Sequence, residues 1–574
     1  MQVRVLPGAL GNNSITTRAL ISRLLPGVDI FWKKGIAMQY AENYSKTFIG
    51  MLSVAACCLG PIATTPAKIS HTISVASPIS GTFINYTAIL EKMDSKGVTP
   101  ENNAAIGILA PARQEVSQDY ATWKKDHGKY VSIPNRRRMR ELMHGLGLTG
   151  SWFSGPPFEG LQNYLKGHTT LPPGAPRGQG IVVGFPRNLN YADQIRSAAE
   201  SLPWSAKEYS WLAGWIRRNN KALDEVVAAA HLRKFYCPLV PQRSVAGLWG
   251  VMLPYLGPVQ GMGQALCVRA MLELHQHNFK ACERDLLAAY RLARLITQPS
   301  VDGISQMVAY NIERRTCRAD IAVANAGWFS TGEYQAYAAS LAKLPHLVPL
   351  YATINTGDRF CCLDILQRLR SREFRGYLKG WQAALPKELY SHHWTKRDIA
   401  TTIRITNLIV NRQVATMKHR DFIKRYRAYQ KFMRWKSALL GTENRALPAN
   451  VKWLLGWFNP GSSPRIVVLR ARLAAKEELS RIALQLAAYR AAHGRYPKSL
   501  RALIPHYLTA IPKDPFTDQP IGYHRGRARV RIWTLRNFIS LRHPPSLNAR
   551  LRQFVTLTIP PGHYVWPKIL PPGK

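Results

Sequence analysis

The chain has 574 residues, 46% of them hydrophobic, and its 78 Lys and Arg against 33 Asp and Glu give a formal charge of +45. That length excludes one ordinary domain and points to two or three, while eight cysteines spread over it exclude a disulfide scaffold. The positive field attracts polyanions, whether nucleic acid, anionic lipid headgroups or acidic surface polymers, without choosing among them.

Residues 1–37 are set aside as a mis-assigned start extension. Met1-Gln-Val-Arg-Val-Leu-Pro-Gly-Ala-Leu10 resembles the chance translation of the 3′ end of a transfer-RNA gene, and Met38 reads as the start. Residues 38–66 read as a signal peptide or membrane anchor: Phe48 to Ala63 is apolar and uncharged, Lys46 precedes it and Pro61 ends it. Val54-Ala-Ala-Cys57 is similar to a lipoprotein processing box, which makes Cys57 a candidate for lipidation. No other segment is long and apolar enough to span a bilayer. Removing everything before Ala67 takes away six basic and two acidic residues, so the charge belongs to the body. Cys237, Cys267, Cys282, Cys317, Cys361 and Cys362 form no Cys-x-x-Cys pair and read as small buried apolar residues. On a single helix Cys267 and Cys282 would stand roughly 22 Å apart, too far to bridge.

The body reads as helical, in an N-terminal helical and loop region (67–200) and a helical domain (201–460). Thr99-Pro100 predicts a capped helix start. Gly- and Pro-rich residues from about 150 to 186 predict a loop or junction, with a strand over Ile181-Val-Val-Gly-Phe185. Gly257-Pro-Val-Gln-Gly-Met-Gly263 reads as a turn before a helix. The stripes Leu266, Ala270, Leu274 and Leu286, Tyr290, Ala293, with Asn278 between, predict an αα-hairpin. No motif recurs at a fixed period, so the expected fold is mainly α: an irregular, solenoid-like array of αα-hairpins followed by a small α/β module. Ser95-Lys-Gly-Val-Thr-Pro-Glu-Asn-Asn-Ala-Ala105, Lys221-Ala-Leu-Asp-Glu225, Tyr236-Cys-Pro-Leu239, Arg269-Ala-Met-Leu-Glu273 and His493-Gly-Arg-Tyr-Pro497 carry a resemblance to uncharacterised exported proteins of planctomycete-type bacteria. It spans most of residues 82–524 and implies export and architecture but no activity.

Residues 464–524 form the module. Leu479, Ile482, Leu486 and Tyr489 make one helical stripe, Gly494 sits where a left-handed residue stops it, and Pro497 comes shortly after. With Leu500, Leu503, Tyr507-Leu508, Ile511-Pro512 and Asp514-Pro-Phe516, the segment Ala488–Pro497 resembles the C-terminal module of type II secretion pseudopilins of the G class. Departures are plain. The processed pseudopilin start is missing before the module, and no acidic residue comes after Asp518, so neither calcium ligation nor pseudopilus assembly is expected. Arg529-Val-Arg-Ile-Trp533 reads as a strand, and residues 525–574 as a basic C-terminal tail.

No nucleophile elbow, phosphate loop, zincin or dinucleotide motif occurs, which leaves no ground for naming a catalytic residue, cofactor, metal or small-molecule substrate and does not exclude an enzyme. His275 and His277 point to nearly opposite sides of a helix and cannot chelate together, even with Glu273. His392, His393 and Asp398 read as a solvated loop beside a helix start at Thr395 or Asp398. In Arg420–Lys436, Phe422, Tyr426, Tyr429 and Phe432 share one helical face, while Lys424, Arg425, Arg427, Lys431 and Arg434 lie mostly elsewhere on the wheel. Two readings stay open: a core-facing helix with a solvated charged side, or a contact for an anionic membrane or nucleic-acid phosphates. Arg525, Arg527, Arg529 and Arg531 are the tail's candidate polyanion contacts. The leading expectation is an exported, membrane-tethered scaffold or binding protein of the cell envelope, meeting an anionic polymer, an anionic membrane or other envelope proteins. The alternatives are a cytoplasmic nucleic-acid-binding protein and an enzyme whose site is assembled from distant helices.

Overall fold

The computed structural model describes residues 83–111, 158–161, 164, 181–182, 196–241, 243–251, 253, 255–299, 303–380, 385–419, 422–458, 464–526, 529–537, 550–558 and 569–570. These residues are mainly helical, with strands confined to two small sheets. The extension, the apolar run at 48–63, Cys57 and Arg527 lie outside them. No helix among the described residues is long and apolar enough to cross a membrane.

Helix α1 (Tyr86–Asp94) opens on Asn85, whose side chain accepts from Ala88 N, and it buries Tyr86 and Leu90. Helix α2 covers 104–111. The expected cap at Thr99 is corrected. Thr99 N donates to Asn102 Oδ1 and Asn102 Nδ2 to Gly97 O, so a local turn uses up this stretch before the helix begins. Asn103 takes the capping role, accepting from Ala105 N and exchanging two 2.9 Å bonds with the backbone of Tyr236.

Helix α3 (Ser210–Ala230) buries Trp211, Trp215, Leu223 and Val226 on one face. The predicted hairpin is present as α4 (Leu256–His275) and α5 (Phe279–Leu295), with Asn278 accepting from Ala281 N at the start of α5. Both predicted stripes are buried. The glycine-rich stretch 257–263 is the opening of α4 rather than a turn before it. Pro258 falls in the first helical turn, where the amide has no partner to lose. Gly263 allows close approach to α6 (Gly303–Ala326), where an added Cβ would lie 2.9 Å from Ile312 Cγ2. Cys267 and Cys282 fall on the two arms of the hairpin, both buried and free.

A capping box of Ser330 and Glu333 starts α7 (Thr331–Ala342). Leu350–Thr353 runs through a π-helical turn, Ile354–Asp358, into α8 (Arg359–Arg368), followed by α9 (Arg372–Lys379). Thr395 and Asp398 form the capping box of α10 (Lys396–Met417), as the sequence indicated for that helix start. Then come α11 (Phe422–Leu440), α12 (Ala449–Phe458) and α13 (Pro464–His493). Gly494, with φ +68°, is the left-handed residue that ends α13.

Strand β1 (Ile181–Val182) pairs antiparallel with a strand at Ile569–Leu570, and β2 (Gly522–Arg525), β3 (Arg529–Asn537) and β4 (Arg550–Thr558) form an antiparallel meander. Val530 and Ile532 are buried in the core, and the meander packs against α13 and α6. The boundary expected at 525 therefore falls at the end of a strand, and residues 529–537 and 550–558 are sheet rather than tail. Alternation of apolar and basic residues in β3 is the pattern of a strand with one buried face.

The described residues form two apolar cores. The larger joins α2 to α7 with α11, α13 and the sheet. A smaller one gathers α1, the 3-10 segment Ser244–Gly250, α8 and α9. Helix α10 spans both, with Ile399 and Ile403 in the second and Ile409 and Val410 in the first.

Candidate functional site

Helix α11 carries no acidic residue. Its core side holds Tyr429 and Phe432, about 3% exposed each, with Tyr426 partly buried, which keeps the aromatic face turned inward. Lys424, Arg427, Lys431 and Arg434 are exposed. Their spacing of three, four and three residues places all four along one side of the helix, over about 15 Å. Arg425 is partly buried and its Nε donates to His419 O at 2.8 Å, so it closes the preceding turn instead of joining the row. Helix α10 packs beside α11 and adds exposed Arg404 and Arg412; the Arg412 guanidinium lies 4.3 Å from the centre of the Trp435 ring.

The sheet arginines are placed elsewhere. Arg525 is exposed at the end of β2, and Arg531 is partly buried in β3, opposite His524 and Thr556. The meander packs on α13 and α6, whereas α11 packs on α10 and α12. The two groups of predicted contacts therefore belong to different elements.

Two of the four histidines singled out in the sequence, His277 and His392, have aromatic partners. His277 lies 4.4 Å from the Trp328 ring, Glu273 accepts from Asn278 Nδ2, and His392 packs edge-on against Trp394. Among the described residues no group of His, Cys, Asp or Glu has an arrangement that could hold a metal ion.

A buried polar network went unread in the sequence. Asp320, fully buried on α6, accepts from Tyr290 and Tyr337 at 2.6 Å each, with the Ser480 hydroxyl, which donates to Glu477 O at 3.1 Å, close by. Burial lifts its carboxyl to about 6 even though the neighbouring hydroxyls favour the charged form. Two turns earlier on the same face, Glu313 Oε1 accepts from Arg294 Nε at 2.7 Å, while Arg470 holds Glu477 at 3.1 Å. With both glutamates ionised, Glu313 Oε2 has no donor. A proton there supplies the hydrogen bond to Glu477, and burial together with the Glu477 charge raises Glu313 to about 8. Glu313, Cys317 and Asp320 stand at i, i+4 and i+7, so carboxylates on the apolar stripe of α6 were the available signal. The network is closed to solvent at Glu313 and Asp320. It holds α5, α6, α7 and α13 in register and stores a proton.

That proton has a measurable consequence. Between pH 4.5 and 8 the folded chain keeps a proton on Glu313 that the unfolded chain has released, so this group lowers stability as pH rises. Glu313→Gln preserves both hydrogen bonds without the titration. Its stability relative to the native chain should increase steadily from pH 5 to pH 8, with a limiting slope of about 1.4 kcal/mol per pH unit. Urea unfolding of both proteins across that range checks it; a constant difference would place the proton elsewhere.

Comparison with protein-family models, curated proteins and solved structures returned no match to this chain.

Proposed function

We propose that the protein is an exported, membrane-tethered scaffold of the cell envelope that meets an anionic surface through one side of α11. The observation that carries this reading is the row Lys424, Arg427, Lys431 and Arg434, exposed on a helix with no carboxylate and anchored by aromatic residues in the core. A rigid row of cations gains affinity by releasing counterions from a dense anionic surface, and each basic side chain adds to it. The helical hairpins serve as a solenoid-like support, and residues 464–524 as a pseudopilin-like module set on it. The apolar run at 48–63 supplies the tether, with Cys57 as its lipidation site.

Vesicle flotation with the full chain tests the contact. Vesicles containing phosphatidylglycerol should bind, and neutral phosphatidylcholine vesicles should not. Replacing the four residues together by Ala should weaken binding to the anionic vesicles about tenfold or more at low salt. Equal binding to both vesicle types removes the electrostatic contact from the account. Tight binding to single-stranded nucleic acid without vesicle binding favours the cytoplasmic alternative. Mass spectrometry of the mature N-terminus in separated cell fractions tests export directly: a start between residues 57 and 67 agrees with it, and an unprocessed chain confined to the cytoplasm contradicts it.

A further inference from the structure

A second electropositive site lies on α6, and it differs in kind from the open row on α11. Arg314, Arg315 and Arg318 sit within four positions of one another, and all three are partly buried. One carboxylate serves them. Glu200, 2% exposed, accepts from Arg315 Nη1 and also lies 3.4 Å from Arg196 Nε. Among the described residues Arg314 has only a long 3.4 Å bond from Nη2 to Asn311 Oδ1, and no carboxylate lies within ion-pair distance of Arg314 or Arg318.

Half-burying three neighbouring guanidinium groups around one carboxylate is costly, and like charges one helical turn apart add to that cost, which the Glu200 charge offsets only in part. The strain is visible in Arg314. Burial, then the charges of Arg318 and Arg315, push its guanidinium down to about 10, and burial lowers Arg318 as well. An anion between the two side chains would relieve both terms. Residues i and i+4 on a helix stand about 6 Å apart at Cβ, so two planar forks can close on one small tetrahedral oxyanion. Glu200 already occupies Arg315, leaving two positive charges for the ligand to match.

We infer that Arg314 and Arg318 form a binding site for a phosphate-type dianion, either free phosphate or the head of a phosphomonoester, with Arg315 held at its edge by Glu200. The site is separate from the α11 row: it takes one compact anion, whereas the row takes an extended surface.

The test is isothermal titration of the full chain at low ionic strength with inorganic phosphate and, separately, with glycerol 3-phosphate. Binding with a Kd of about 1 mM or tighter is expected for one or both, and the tighter arm identifies the source of the phosphate. Arg318→Ala and Arg314→Ala should each weaken it at least about fivefold. Arg318→Lys keeps the charge and the fold but loses the fork, and it should also weaken binding. Arg427→Ala on α11 should leave it unchanged. No binding up to about 10 mM, or an affinity that survives both Arg318→Ala and Arg318→Lys, overturns the proposal. A loss with Arg427→Ala equal to that with Arg318→Ala would also overturn it, because the phosphate would then be on α11.

Discussion

Arg269→Ala should destabilise the fold by about 3 kcal/mol or more, because it strips the partner from a carboxylate that cannot reach water. Asp285 is fully buried and takes a two-pronged grip from Arg269, at 2.6 Å from Nε and 2.9 Å from Nη2. The third prong, Nη1, reaches Asp224 at 2.9 Å, so one guanidinium ties α3, α4 and α5 together. Arg284 Nε also lies 3.1 Å from Asp285, but its side chain is 45% exposed and solvent competes for it. Arg284 therefore covers part of the loss. Replacing the pair tells the two contributions apart. Arg269→Met with Asp285→Leu removes both charges, and it should cost clearly less than Arg269→Ala alone, since no orphaned charge remains. Urea unfolding at neutral pH, followed by far-UV circular dichroism, measures all three proteins. An Arg269→Ala loss below about 1 kcal/mol would mean that Arg284 relieves Asp285.

The hairpin that carries this clamp was legible in the sequence, and the clamp was not. Periodicity reports which side of a helix is apolar, so the stripes of α4 and α5, the stop at Gly494 and the cap at Thr395 could be read directly. Arg269, Asp285, Glu313 and Asp320 look like polar interruptions of those stripes. Their meaning lies in partners 16 to 164 residues away, and no local spacing encodes those pairings. The row on α11 shows the intermediate case. The aromatic face was readable, whereas the alignment of Lys424, Arg427, Lys431 and Arg434 needed the burial of each side chain to separate them from Arg425 and Lys436. Lys436 is only 6% exposed and belongs to the core side, where burial lowers its ammonium to about 8. The strand beginning at Arg529 was likewise readable, from the alternation of arginines with Val530 and Ile532, whereas its extension to Asn537 and its pairing with β2 and β4 join residues that no local spacing connects. The opening of α4 was misread because glycines signal turns when exposed, but inside a core they allow two helices to approach.

Gly247→Ala should cost about 3 kcal/mol or more, from a single methyl group. Gly247 holds φ +56° and ψ −144°, a region that side chains avoid, and its missing Cβ would sit 2.0 Å from Asp364 Oδ2 and 2.3 Å from Arg368 Nε. Neither atom can yield cheaply. Asp364 is fully buried and accepts from Leu248 N at 2.8 Å, Arg368 Nε at 2.9 Å and Gln367 Nε2 at 2.8 Å. Gln367 in turn exchanges two hydrogen bonds with the backbone of Ile84, so the same cluster docks the start of α1. The methyl group must therefore either distort the backbone or open a network that joins three separate stretches of chain. Which of these occurs can be decided. If the clash with Asp364 dominates, Asp364→Ala should relieve much of it, and the double variant should be well short of additive. If backbone strain dominates, the two losses should add. In both cases the damage should concentrate in the smaller core, so the amides of Leu248 and of α8 should exchange with solvent faster in Gly247→Ala, while those of α4 and α5 keep more of their protection. Uniform loss of protection across both cores would show instead that the two unfold as one cooperative unit.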